Sequence, residues 1–167
     1  GPAIIEGGLS ELGFHVTGLD ISQEALNHAP DAVRTVAGRA EDMTFPESSF
    51  DAALYVVSLQ FVEDYRKALQ NTSEVLCPGG IIVVMLLNPR SIFYKERTKD
   101  PGSYMNRLRH ADLEQIERTV ADHFTILQTE YFLGIRGEEI FSASDPRNAA
   151  LYAIIGMKRA KNGTTGT

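Results

Sequence analysis

The sequence predicts an α/β fold of the doubly wound, Rossmann-like type, with a mostly parallel sheet, flanking helices and an antiparallel strand near the C-terminus. Over the first 90 residues, short apolar runs alternate with segments of helical periodicity, and this alternation is typical of parallel sheets. Later in the chain, two long apolar runs are separated by a short stretch without a helical pattern. We therefore expect those two runs to pair as antiparallel neighbours.

The first part of the chain predicts a helix, a strand, a second helix and a second strand. Gly13 is expected to cap the first helix in a left-handed conformation. The first strand ends on a carboxylate, Asp20, and Ser22 follows it as the N-cap of the second helix. The predicted bounds are helix 4–12, strand 14–20, helix from Ser22 to about Ala29, and strand 33–37.

The remaining elements are predicted from longer patterns. The run at 52–58 reads as a strand buried on both faces. A helix at 63–76 follows this strand, and Pro78-Gly79-Gly80 is expected to end that helix. We expect residues 1–160 to form one domain and residues 161–167 to be a flexible tail. The predicted bounds are strand 52–58, helix 63–76, strand 81–87, helices 92–98 and 112–122, and strands 124–132 and 149–158.

The composition excludes several classes of protein. The 167 residues include 16 Lys and Arg against 22 Asp and Glu, a net charge of −6, which disfavours nucleic acid as a partner. The apolar runs are far shorter than the ~20 residues that cross a bilayer, so no membrane partner is expected. Cys77 is the only cysteine, which fits a cytoplasmic location. The four histidines lack metal-ligand spacing, and no metal site is predicted.

Asp20 is the first candidate for a functional residue. A carboxylate at the carboxyl end of a strand in a doubly wound sheet can accept hydrogen bonds from both hydroxyls of a ribose. The same placement also suits an Asp that caps a neighbouring loop or helix. The position of Asp20 therefore favours a nucleoside site and leaves the capping role open.

Four stretches in register over residues 1–88 resemble the class I S-adenosylmethionine-dependent methyltransferases, in the small-molecule branch that includes the ubiquinone-biosynthesis type. The resemblance implies a Rossmann-like fold, S-adenosylmethionine as cofactor and methyl transfer to a small-molecule acceptor. In such a reaction the protein mainly aligns nucleophile, methyl group and sulfur, and no residue of the sequence identifies a general base. The four stretches are Gly13–Ser22, Gly38–Pro46, Ser49–Asp51 and Pro78–Gly80.

The resemblance also implies the residues that bind the cofactor. Asp20 corresponds to the ribose-binding acid and Ile21 to the apolar residue against the adenine. A loop formed by Arg39, Ala40 and Glu41 corresponds to the segment that reads the adenine edge. In the family an Asp often stands at the position of Arg39 and accepts a hydrogen bond from the adenine amino group. Arg cannot accept that hydrogen bond, so Glu41 or Asp42 would have to accept it instead. Tyr55 and Val56 correspond to residues beside the methionine moiety.

The N-terminus departs from the family pattern. Counting back from Asp20 places Gly1 on the second glycine of the family's cofactor loop, with Ala3 where a third glycine is usual. The family's first strand therefore has no counterpart in this sequence. We expect a truncated sequence rather than a native absence of the strand, with Gly1-Pro2 as a cloning remnant the other alternative. The chain as given is expected to bind the cofactor poorly and to be inactive by itself.

A basic segment follows the strand at 81–87. Residues 90–110 contain six Lys and Arg against two acidic residues, together with Phe93, Tyr94, Tyr104 and Met105. The strand before it ends at the edge of the sheet where ligands bind in this fold. One interpretation is a lid that contacts an anionic, partly apolar acceptor; the other is a solvated insertion whose aromatic residues pack into the core. The six basic residues are Arg90, Lys95, Arg97, Lys99, Arg107 and Arg109.

Two other functions remain open from the sequence. A nicotinamide-dependent dehydrogenase uses the same strand-end acid and a similar Gly-rich turn, although the Pro78–Gly80 turn and the closing strand pair favour the methyltransferase. The second alternative is a non-catalytic methyltransferase-like domain, which is suggested by Arg39 and by the incomplete cofactor loop.

His110 has two possible roles. It reads either as a base near the crevice or as a residue that flanks a helix.

Overall fold

The computed structural model describes residues 4–160. Gly1 and the predicted tail at 161–167 lie outside the described residues. The chain divides into two compact units, residues 1–44 and residues 45–167. Each unit is described below by itself.

The first unit contains two helices and a two-stranded parallel sheet. Its elements are α1 (Ile4–Glu11), β1 (Thr17–Asp20), α2 (Gln23–Asn27) and β2 (Arg34–Ala37), with β1 and β2 in parallel register from Thr17 opposite Arg34. Gly13 has a φ of 92°, and the backbone N–H groups of Gly13 and Phe14 donate to the carbonyls of Ser10 and Leu9. This pair of bonds is a Schellman cap, so the predicted left-handed cap is confirmed.

The predicted strand 14–20 is too long at its start. Phe14 donates its backbone N–H to the end of α1 and its side chain is 61% exposed. The strand therefore begins only at Thr17, after the chain has left the helix cap. The predicted strand 33–37 is confirmed within one residue, while α2 ends at Asn27, earlier than predicted.

The second unit contains a five-stranded mixed sheet. The elements are β3 (Phe50–Val56), α3 (Tyr65–Val75), β4 (Leu76–Leu87), α4 (Ile92–Arg97), α5 (Leu113–His123), β5 (Phe124–Arg136), β6 (Glu139–Phe141) and β7 (Ala149–Lys158). The strand order is β3-β4-β7-β5-β6. β3 and β4 are parallel, whereas β7 is antiparallel to both β4 and β5. The α/β fold and the antiparallel closing pair are confirmed, with a larger antiparallel share than predicted.

Two predictions for this unit need correction, and one short strand was not predicted. β3 is not buried on both faces, since Leu54 is 40% exposed. Among the described strands β3 pairs only with β4, so it lies at the edge of the five-stranded sheet rather than inside it. The Pro78-Gly79-Gly80 turn lies inside β4 rather than before it, because the chain passes directly from Val75 into the strand. The short strand β6 was not predicted, since its three residues have no measurable alternation.

The core of the second unit lies between the sheet and two helices, α3 and α5. Tyr152 on β7 donates a hydrogen bond of 2.6 Å to the carboxylate of Glu117 on α5, which fixes that helix against the sheet. Burial and this hydrogen bond raise the pKa of Tyr152 to about 12. The fully buried apolar side chains include Leu69, Leu76, Ile82, Val84, Leu86, Ile116, Val120, Phe124 and Ile154.

Candidate functional site

Asp20 is the last residue of β1, and its carboxylate is already oriented by the backbone. The Ser22 N–H donates to Oδ1 of Asp20 at 2.8 Å, and Ser22 in turn caps α2 through the N–H of Ala25 at 3.2 Å. The capping role left open by the sequence is therefore real. It does not exclude a ligand, because a carboxylate has two oxygens and about four acceptor sites.

The residues next to Asp20 suit an adenosine. Ile21 is 78% exposed, so its apolar side chain is available to lie against a flat ring. A small cleft of about 20 Å³ within the first unit borders Asp20, which is room for about one water molecule and not for a nucleoside. A carboxylate and an exposed apolar side chain have the chemistry to contact a sugar and a flat base, and a nucleoside bound by them would lie outside this cleft.

The loop at 39–41 is held together by ion pairs. Arg39 contacts Oε1 of Glu41 at 3.1 Å and the carboxylate of Asp42 at 3.7 Å, and Glu41 is 7% exposed. Residues 40–42 form a single 3-10 turn. Arg39 therefore forms ion pairs with the two acids that the sequence offered as acceptors for an adenine amino group.

Tyr55 and Val56 are the last two residues of β3. The Tyr55 hydroxyl is buried beneath α3, 2.7 Å from Oγ1 of Thr72, so its side chain belongs to the core of the second unit. Val56 is half-buried. A contact of Tyr55 with a cofactor would therefore have to use its backbone.

Gln60 joins three segments at the carboxyl ends of β3 and β4. Its side chain is fully buried and forms two hydrogen bonds with Leu87, the last residue of β4: Oε1 accepts from the Leu87 N–H at 2.7 Å, and Nε2 donates to the Leu87 carbonyl at 3.1 Å. The Gln60 carbonyl accepts from the N–H groups of Arg109 and His110. Because the chain leaves the sheet after β3, the Gln60 amide takes the place of a neighbouring strand.

Asn88 holds the next loop to the same edge. It is fully buried, and its Nδ2 donates to the carbonyls of Pro146 and Ala149 at 2.7 and 2.8 Å. Its Oδ1 accepts from the N–H of Arg90 at 3.0 Å. Asn88 thus fixes the start of the basic segment against the loop before β7.

The loop before β7 has its own hydrogen bonds. Those from the side chain and backbone of Asn148 lower the pKa of the exposed Asp145.

The basic segment is anchored at both ends and has an exposed charged surface. All six of its Lys and Arg side chains are exposed. Tyr104 is 54% exposed and its ring lies 5.8 Å from that of Phe61, while the Arg97 guanidinium lies 5.6 Å from the centre of the Phe93 ring. Burial raises the pKa of Tyr94. The segment forms a wall of cationic and aromatic groups that is hydrogen-bonded to the second unit at both ends. Its role as a lid over an acceptor stays a prediction.

The sequence did not single out Gln60 and Asn88. Each is a polar residue within an apolar context, Leu59-Gln60-Phe61 and Leu87-Asn88-Pro89, and each is fully buried and hydrogen-bonded. That context was the available signal, because a polar side chain in such a position is buried only when it has partners. Among residues 4–160, no group of three or more potential metal ligands is found, and no helix is long and apolar enough to cross a membrane.

Tyr65 gives a stability prediction. Its side chain is 1% exposed, and its hydroxyl is the buried side-chain polar atom of the described residues that lacks a hydrogen-bond partner. An unpaired buried hydroxyl is destabilising, so Tyr65→Phe is expected to raise the free energy of unfolding by about 1 kcal/mol. Tyr55→Phe is the matched control, because it removes a paired hydroxyl and is expected to lower stability. Urea denaturation measures both; a loss of stability in Tyr65→Phe would contradict the assignment.

Solved structures with the same architecture define the class of fold. A possible histamine N-methyltransferase of Thermotoga maritima superimposes with a TM-score of 0.72 at 21% identity, over 89% of this chain and 75% of that one. An S-adenosylmethionine-dependent methyltransferase of Methanosarcina mazei gives 0.72 at 20% identity, over 96% and 90%. The chain therefore has the Rossmann-like fold of the class I methyltransferases.

The family is established by sequence. Residues 1–84 match the model of the methyltransferase domain, and the chain belongs to that family. It is 35% identical over 74 residues to demethylmenaquinone methyltransferase of Listeria welshimeri, covering 40% of this chain and 31% of that protein. It is 33% identical over 79 residues to fatty-acid O-methyltransferase of Mycolicibacterium smegmatis, covering 44% and 29%. The matches span about a third of the length of these relatives.

Proposed function

We propose that this protein transfers a methyl group from S-adenosylmethionine to a small-molecule acceptor. The observation that supports the proposal most strongly is the Asp20 carboxylate, held at the carboxyl end of β1 by the Ser22 N–H beside the exposed Ile21. When bound, the cofactor supplies an activated methyl group on a sulfonium that carries its own leaving group. The protein's part is therefore to bind and to orient.

The proposed roles of the site residues follow from their surroundings. Asp20 binds the ribose hydroxyls, Ile21 covers the adenine, and the backbone of residues 39–41 borders the base. Tyr55 and Val56, the last two residues of β3, are proposed to contact the methionine moiety through their backbone. Gly1, which lies outside the described residues, is proposed to contact the cofactor through its backbone.

We propose further that the acceptor is anionic and partly apolar. The wall formed by residues 90–110 combines six exposed cations with an exposed Tyr104, and it begins where β4 ends. Guanidinium groups bind carboxylates and phosphates well, and aromatic rings contact flat or aliphatic parts of a ligand. The names of the relatives, a demethylmenaquinone and a fatty-acid methyltransferase, agree with an acceptor that has a large apolar part. The net charge and single cysteine support a cytoplasmic enzyme that does not act on nucleic acid.

Charge reversal tests the acceptor proposal. The variant Arg107→Glu, Arg109→Glu is expected to raise the KM for an anionic acceptor at least 10-fold, because two attractive charges become repulsive, while cofactor affinity stays within twofold. Steady-state kinetics with a fatty acid or an aromatic carboxylate as acceptor gives the KM. Lys67→Glu, an exposed cation on α3, is the control. An unchanged KM in the double variant would show that these two arginines do not contribute to acceptor binding.

Cofactor selectivity tests the choice of enzyme class. S-Adenosylmethionine and NAD(P) are each added to the full-length gene product, and the melting temperature is recorded. A ligand that binds only the folded state raises that temperature. Stabilisation by S-adenosylmethionine and formation of labelled product from a labelled methyl donor are the expected results. Stabilisation by NAD(P) alone would favour a dehydrogenase, and cofactor binding without product from any acceptor would favour a non-catalytic domain.

A further inference from the structure

His110 is held by its neighbours in one orientation. Its backbone N–H donates to the Gln60 carbonyl at 3.2 Å, and its ring nitrogen Nε2 lies 2.9 Å from the carbonyl of Val62. The ring also contacts the Tyr65 ring edge-on, with 4.7 Å between centroids. Because Gln60 is bonded to the end of β4, His110 lies at the carboxyl ends of the strands, the side of the sheet where this fold binds its ligands.

The contact with Val62 determines which ring nitrogen bears the proton. A carbonyl oxygen can only accept a hydrogen bond, so Nε2 must donate, and in the neutral ring Nδ1 then has the lone pair. Nδ1 has no hydrogen-bond partner among the described residues, and the side chain is only partly buried. The ring is therefore an oriented proton acceptor that is accessible from one side.

A second polar atom of the same ring pair also lacks a partner. The Tyr65 hydroxyl is buried and has no hydrogen-bond partner in the described part of the chain, although buried polar groups are nearly always paired. Two rings in contact thus each present one unsatisfied polar atom. Because the Tyr65 hydroxyl is buried, the polar atom of this pair that a ligand can reach is Nδ1 of the partly exposed His110.

We propose that His110 is the catalytic base of the methyl transfer, and that the acceptor is attacked through a hydroxyl group. The inference rests on the proposed function above. The hydroxyl proton passes to Nδ1 of His110, and an electron pair of the oxygen forms the new bond to the methyl carbon. The carbon–sulfur bond breaks with its electron pair going to sulfur, and the imidazolium then releases its proton to water. An acceptor that reacts through a carboxylate needs no such step.

The first test is independent of activity. In the chain labelled with ¹⁵N-histidine, long-range ¹⁵N–¹H correlation spectra at pH 8 and above report the tautomer of each histidine, and His110→Gln assigns the signals. The neutral His110 ring is expected to be protonated at Nε2, with an unprotonated Nδ1. A neutral ring protonated at Nδ1 would overturn the proposal whatever the enzyme does.

The second test separates the base from a structural role. Initial rates with labelled methyl donor are measured for the full-length gene product on two hydroxyl probes, 3,4-dihydroxybenzoate and 4-hydroxycinnamate, and on one carboxylate probe, hexadecanoate. His110→Gln preserves a donor for the Val62 carbonyl but has no basic nitrogen, and His110→Ala removes both. Both variants are expected to lose at least 100-fold in kcat on the hydroxyl probes, with partial recovery of His110→Ala by added imidazole. His28→Ala, an exposed residue of the first unit, is the control and is expected to match the parent.

Each outcome has one reading. Parent-like kcat of His110→Gln on the hydroxyl probes would overturn the proposal, and so would a parent enzyme that methylates hexadecanoate but no hydroxyl. In the second case the proposed methyl transfer would stand without a base. If the parent binds the donor but methylates none of the three probes, the proposed transfer to anionic, partly apolar acceptors of these kinds fails, and the base assignment for a hydroxyl acceptor fails with it.

Discussion

Asp20→Asn is expected to weaken the binding of S-adenosylmethionine by at least 100-fold without unfolding the protein. The Asn side chain keeps an oxygen that can accept from the Ser22 N–H, a bond of 2.8 Å in the structure, so the turn before α2 survives. Its other terminal atom is an amide nitrogen, which donates and cannot accept from a ribose hydroxyl. Asn therefore loses one of the two acceptor oxygens and the negative charge that strengthens the hydrogen bond to the other. A hydrogen bond to a charged acceptor contributes about 1.5 to 3 kcal/mol, so the loss of one such bond and the weakening of the second account for a change of this size.

Calorimetric titration with S-adenosylhomocysteine measures the affinity, and urea denaturation measures the stability of the same samples. Asp20→Ala is the companion variant: it is expected to lose the affinity and also some stability, because the Ser22 N–H loses its acceptor. Asp31→Asn, an exposed acid in the same unit, is expected to behave as the parent. Parent-like affinity in Asp20→Asn would leave Asp20 with its capping role alone.

Gln60→Leu is expected to lower the free energy of unfolding by about 2 to 4 kcal/mol, since the N–H and the carbonyl of Leu87 would lose their partners in a fully buried place. Leu matches Gln in size and keeps the apolar packing, so the loss reports mainly the two hydrogen bonds of 2.7 and 3.1 Å. The anchorage of residues 109 and 110 through the Gln60 carbonyl is also expected to loosen. Amide hydrogen exchange at Arg109 and His110 should therefore accelerate.

Gln70→Leu is the matched control for Gln60→Leu. Gln70 lies on the exposed side of α3 and bonds only to Glu74 four residues on, so its replacement is expected to change stability by less than about 0.5 kcal/mol. Urea denaturation of the two variants gives the comparison directly. Equal stability of both variants would show that the buried amide contributes nothing to the edge of the sheet.

Local patterns predicted most of the elements. The Gly13 cap, the Ser22 N-cap, the helix predicted at 92–98 and the strand predicted at 81–87 all depend on neighbours in sequence, so composition and spacing suffice to predict them. The antiparallel pair β5 and β7 was also predicted, because the short connection between the two runs leaves little other choice. The same reasoning overestimated the first strand, where Phe14 serves the helix before it and not the strand after it.

Features that depend on residues far apart could not be predicted from the sequence. Whether β3 is central or at an edge depends on which strands pair with it, and its own apolar residues do not reveal this. Gln60 gains its partners 27 residues away at Leu87, and Asn88 reaches 61 residues to Ala149. Asp20 could be found from the sequence because a strand end and a helix cap are local features. The orientation of the His110 ring could not be predicted, because it depends on the carbonyl of Val62, 48 residues away.

A crystal structure of the full-length gene product with S-adenosylhomocysteine tests the central claim most directly. The two ribose hydroxyls are expected to lie about 2.5 to 2.8 Å from the carboxylate oxygens of Asp20, with Ile21 against the adenine. A nucleoside whose hydroxyls bind other side chains, while Asp20 bonds only to the Ser22 N–H, would contradict it.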